Sequence, residues 1–127
     1  MIDDATRARA VLVVDDDRDL RELVADVLEG CGRGVFTARD GRDALQQLDR
    51  DGIPRPCLVL LDWFMAPMGG RAFLERLAAR ADAAEFRVLL LSASAADPPP
   101  ELSFRVAGVL RKPFGLDELF RMIDRHG

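Results

Sequence analysis

Three runs of four consecutive apolar residues, Val11–Val14, Leu58–Leu61 and Val88–Leu91, constrain this chain more than any other feature. All three are rich in Val and Leu, and continuous apolar runs of this length read as strands buried on both faces. Such strands need helices above and below the sheet. Weaker runs at Val35–Ala38 and Gly108–Leu110 bring the expected strands to five. Segments of helical period lie between them. Leu20, Leu23, Val24, Val27 and Leu28 recur at i, i+3, i+4, i+7 and i+8, with Gly30 placed as a C-cap. Ala44, Leu45 and Leu48 predict a second helix, from about Gly41 to Asp51. Phe73, Leu74, Leu77 and Ala78 predict a third, and Leu116, Leu119, Phe120 and Ile123 a last one running nearly to the C-terminus. Strand–helix alternation with right-handed crossovers gives an α/β doubly wound parallel sheet, flavodoxin-like, of order 2-1-3-4-5.

One unit breaks the pattern. Pro98, Pro99 and Pro100 cannot lie inside a helix, so the fourth helix is expected to be short or irregular, from near Glu101 to Val106. Residues 1–9 read as a flexible N-terminal segment and 10–127 as one domain, which is what 127 residues accommodate.

The charge balance excludes several function classes. With 22 acidic and 18 basic residues the net charge is −4, and no basic run offers a nucleic-acid surface. No apolar stretch approaches the roughly 20 residues that span a bilayer. The opening MIDDATRARA has no apolar core of a signal peptide. Cys31 and Cys57 show no metal-ligand spacing, and the expectation is two reduced thiols in a cytoplasmic protein. A single histidine, His126, excludes a His-rich metal site and speaks against a His-based triad.

Doubly wound sheets bind ligands beyond the carboxyl ends of their strands, where the strand order reverses. Here that switch lies between strands one and three. The first run ends in Asp15, Asp16 and Asp17, the third in Asp62, the fourth in Ser92 and the fifth in Arg111-Lys112-Pro113. Carboxylates, a hydroxyl and an ammonium are therefore expected at one edge. Asp17 serves equally well as a cap for the first helix. Asp15 and Asp16 together exceed what one cap requires, and their repulsion needs a cation to offset it. Hard oxygen ligands suit Mg²⁺. Asp62 has no helix to cap, because the next one starts about eight residues later.

The segments VLVVDDDRDLRELV, LVLLDWFMAPMGG, VLLLSAS and GVLRKPF, in that order, resemble the receiver domain of two-component response regulators, and ARDGRDAL resembles the turn into that family's second helix. The likeness runs from about Ala10 to Arg125. It implies that Asp62 is the phosphoacceptor in a phosphorelay, taking a phosphoryl group from a phosphohistidine on a sensor histidine kinase or phosphotransfer protein. It further implies that Asp16 binds Mg²⁺ directly and Asp15 through water, with Asp62 and the Phe64 carbonyl completing the ligands. Lys112 would pair with phosphoryl oxygens, Ser92 would hydrogen-bond to one, and the Ala93 N–H would assist. A cis peptide is implied before Pro113. The signal would pass to a downstream protein target.

Departures from the family fall after the phosphorylation step. Pro67, rather than residue 66, supplies the proline after the phosphoacceptor. Val109 stands where relatives usually carry the switch aromatic, and the chain has no Tyr. Phe64 is apolar where relatives can orient a hydrolytic water, which predicts a long-lived phosphoryl group. Phe114, Leu116 and Phe120 fit the core by periodicity, with a homodimer face as their other use. Two rival readings stay open. One is a degenerate receiver acting as an interaction module without phosphorylation. The other is a haloacid-dehalogenase-type phosphatase with Asp15 and Asp17 as nucleophile and acid, which leaves Asp62 unexplained.

Overall fold

The computed structural model describes residues 7–30, 32–50, 52–93 and 105–127. Five parallel strands form one sheet in the order β2-β1-β3-β4-β5. In chain order the elements are β1 (Ala10–Val14), α1 (Arg18–Leu28), β2 (Gly34–Ala38), α2 (Gly41–Arg50), β3 (Cys57–Asp62), α3 (Gly70–Ala78), a 3₁₀ turn (Ala83–Glu85), β4 (Phe86–Ser92), β5 (Val106–Arg111) and α4 (Leu116–His126). The doubly wound architecture expected from the apolar runs is the one found.

Alternation along the strands divides the interior into two layers. Ala10, Leu12 and Val14 of β1 point with Val59 and Leu61 of β3 toward α2 and α3, where Ala44, Leu48, Phe73, Leu74 and Leu77 close the layer. Val11, Val13, Leu58 and Leu60 point the other way, against Val24 and Leu28 of α1 and Leu119 and Ile123 of α4. The central strands β1 and β3 are buried along their whole length. That is why they read as unbroken apolar runs. Burial also pushes the Cys57 thiol up to about 12, so it stays protonated; Cys31 lies outside the described residues.

Several expectations are corrected in detail. β5 starts at Val106, which was expected to end a helix; residues 101–104 of that expected helix lie outside the described residues, as do Pro98–Pro100. Val88 pairs with Val106 and Leu89 with Gly108, so Ala107 is the extra residue of a bulge and the strand extends two residues before Gly108. Leu23, placed on the buried stripe by periodicity, is 49% exposed. Leu116 and Phe120 are exposed as well, while Phe114 is half-buried against the α1–α4 layer. In segment 1–9, residues 1–6 lie outside the described residues, and the N–H groups of Ala8 and Arg9 donate to the carbonyls of Gly127 and Pro56.

Asp17 is the N-cap of α1, accepting from the N–H groups of Asp19 (3.0 Å) and Leu20 (3.3 Å). Asp17→Ala is expected to lower stability by about 1 kcal/mol, read as a reduced denaturation midpoint at unchanged slope. An unchanged midpoint would show that this cap contributes nothing.

Candidate functional site

Register alone assembles the site. Val14 pairs with Leu61, so Asp15 and Asp62 leave the sheet side by side. Asp62 pairs with Leu91, so Ser92 emerges on the far side of Asp62. Ser92 pairs with Arg111, and the Lys112 N–H donates to the Ser92 carbonyl at 2.8 Å, which brings Lys112 to the same edge. Four strand ends thus deliver two carboxylates, a hydroxyl and an ammonium to one rim.

One carboxylate oxygen from each of Asp15, Asp16 and Asp62 lies within 4.8 Å of the other two. Asp15 is fully buried, Asp62 is 5% exposed, and Asp16 is exposed. The Lys112 ammonium lies 2.8 Å from Asp15 Oδ2 and 3.5 Å from Asp62 Oδ1. One cation against three carboxylates leaves negative charge uncompensated. Burial, followed by the charge of Asp15, pushes Asp62 up to about 6, while Lys112 and the Phe64 N–H pull the other way. Burial disfavours the Lys112 ammonium, yet the hydrogen bond and charge of Asp15 outweigh this and raise its pKa above the usual lysine value. Donors that are all oxygen, clustered and short of positive charge can hold a hard metal cation.

Asp15 is pinned on every side. Its N–H donates to Ala38 O at 3.1 Å, and its Oδ1 accepts from the Asp17 N–H at 2.9 Å. Its own carbonyl accepts from Arg21 Nη1 at 2.8 Å. Arg21 was not singled out from the sequence. A separation of six residues is no helical pair, and the contact arises because Asp15 precedes the helix that carries Arg21.

Asp62 is followed by a loop that leads to α3. The Gly70 N–H donates to Trp63 O at 3.0 Å, and a Cβ at Gly70 would stand 2.8 Å from the Asp62 carbonyl. Only glycine lets α3 approach the end of β3 that closely. Phe64 is 57% exposed beside Asp62. Ala66–Pro67 and Lys112–Pro113 are both cis. Ser92 is buried at the end of β4, Ala93 is exposed next to it, and Val109 faces outward from β5. Asp17 is absorbed by its capping role. Beside Lys112 an apolar groove of about 400 Å³ runs between α1 and the β5–α4 loop, lined by Leu20, Leu23, Phe114 and Leu116 among others.

The sequence model of the response regulator receiver domain matches residues 11–124. The phosphate regulon transcriptional regulatory protein PhoB of Klebsiella pneumoniae is 32% identical over 136 residues, covering 91% of this chain and 58% of that protein. Response regulator MprA of Mycolicibacterium vanbaalenii is 37% identical over 116 residues, covering 86% of this chain and 46% of MprA. The chain therefore spans about half the length of these relatives. Among solved structures, a CheY-like receiver domain protein from Methanospirillum hungatei superposes with a TM-score of 0.79 at 25% identity, covering 90% of each chain. TrrA of Thermotoga maritima, solved in complex with Mg²⁺-BeF, gives 0.76 at 26% identity and covers 92% of this chain and 97% of TrrA.

Proposed function

The chain belongs to the response regulator receiver domain family of two-component systems, and from that premise we propose that Asp62 is its phosphoacceptor. A carboxylate oxygen of Asp62 attacks phosphorus, the phosphorus–nitrogen bond of a partner's phosphohistidine breaks, and the imidazole nitrogen leaves with the electron pair and takes up a proton. The supporting observation is the buried Asp62 carboxylate set among Asp15, Asp16 and the Lys112 ammonium. Asp16 and Asp62 would ligate Mg²⁺ directly, Asp15 through water, and Phe64 through its carbonyl. Bound there, Mg²⁺ offsets charge on the transferring phosphoryl group. Lys112 leaves Asp15 for the phosphoryl oxygens, and the Ser92 hydroxyl and Ala93 N–H bind others. The groove beside Lys112 gives a partner an apolar seat next to the nucleophile. A sensor histidine kinase or phosphotransfer protein supplies the phosphoryl group. The output passes by protein contact to a downstream target.

A phosphatase of the DxD kind would need Asp17 as its acid. Its Oδ1 is already taken by two N–H groups of α1, which favours the receiver reading. No helix among the described residues is long and apolar enough to cross a membrane.

Acetyl phosphate with Mg²⁺ is expected to add one phosphoryl group, detected by mass. Its loss is expected to be slow, because the Phe64 side chain has no atom that can hydrogen-bond and orient an attacking water. Decay within seconds would contradict this reading of Phe64, and no mass gain would favour an interaction module that works without phosphorylation.

A further inference from the structure

We infer that Arg21 is a positioning residue for the acidic pair, setting how tightly the pocket takes a divalent cation. The inference rests on the receiver reading of the pocket and adds a residue to it. Arg21 Nη1 donates to the carbonyl oxygen of Asp15 at 2.8 Å. That oxygen belongs to the peptide unit joining Asp15 to Asp16. The unit is planar, so fixing its oxygen fixes the direction from one Cα to the next and the root of the Asp16 side chain. Asp16 needs such help: among the described residues its carboxylate has no hydrogen bond or ion pair, whereas both oxygens of Asp15 are engaged.

Helix stability does not account for the placement. Arg21 is the fourth residue of α1 and folds back toward its N-terminus, where the helix dipole disfavours a cation. The exposed Arg18 pairs outward with Glu22, as a surface arginine would. Arg21 instead turns inward to a main-chain carbonyl and is half-buried.

The two modes of action predict opposite signs. Losing a nearby positive charge would by itself tighten cation binding. Losing the anchor loosens it. Mg²⁺ titration followed by Trp63 fluorescence is expected to give a dissociation constant raised about tenfold in Arg21→Met, the low end of the range for outer-shell partners. Arg21→Gln, too short to reach, is expected to behave alike and serves if the Met variant fails to fold. Arg21→Lys, which keeps the charge and a donor, is expected to stay within threefold of wild type. In metal-free protein the amide resonances of Asp16 and Asp17 are expected to shift in Arg21→Met, a change independent of bound metal. Unchanged or tighter binding in both the Met and Gln variants would overturn the assignment of Arg21. Absence of Mg²⁺ binding to wild type would instead overturn the reading of the pocket itself.

Discussion

Lys112→Met is expected to lower the stability of the metal-free protein by about 3 kcal/mol, the low end for removing one partner of a buried ion pair. Asp15 is fully buried, and its Oδ2 takes its hydrogen bond from Lys112 at 2.8 Å. Met keeps the length of the side chain and removes the ammonium. Three carboxylates then face one another with the Asp17 N–H as the nearest donor to Asp15. Chemical denaturation at neutral pH checks this. Mg²⁺ is expected to recover more stability in the variant than in wild type, because there it is the sole cation in the pocket. A loss under about 1 kcal/mol would mean that water compensates Asp15 well enough without Lys112.

Asp62→Asn has the opposite sign. In the folded, metal-free protein Asp62 holds its proton up to about 6, whereas in the unfolded chain it releases it near 3.8. Between those values the folded state binds more protons than the unfolded one, so stability falls as pH rises through that window. A gap of about two pH units corresponds to roughly 3 kcal/mol, and solvent reaching the pocket past Asp16 reduces this to about 2 kcal/mol. Asn is therefore expected to be more stable than wild type by about 2 kcal/mol at pH 7.5, with the difference closing as pH falls toward 4. Mg²⁺ at a hundred times its dissociation constant stabilises wild type by about 2.7 kcal/mol, which reverses the order of the two proteins. Equal stability at all pH values would show that Asp62 is not strained by its surroundings. In Lys112→Met/Asp62→Asn the loss from the first change and the gain from the second are expected not to add, since the second change relieves the repulsion that the first exposes.

Charge held under strain in an apolar fold explains what could be read from the chain. β1, β3 and β4 were legible because strands buried on both faces must be apolar throughout, and the polar residue ending each of them had to lie at the rim. The parallel order then made four separate strand ends neighbours, so Asp15, Asp62, Ser92 and Lys112 were legible as a set. Asp17 was ambiguous in the sequence because a cap and a ligand call for the same side chain; its bonds to Asp19 and Leu20 decide for the cap. β5 was read two residues short at its start, because the bulge at Ala107 breaks the pairing with β4. Leu23, Leu116 and Phe120 misled because helical period marks an apolar stripe without showing how much of it a neighbour covers. Arg21 was invisible, since its contact joins a helix to the residue before its cap and follows no repeating spacing.

The most direct measurement is transfer of labelled phosphoryl from a phosphorylated histidine kinase or phosphotransfer protein, in Mg²⁺, to wild type beside Asp62→Ala. Label is expected on wild type and absent from the variant. Label retained on Asp62→Ala would place the phosphoryl group on another residue and contradict the assignment of Asp62.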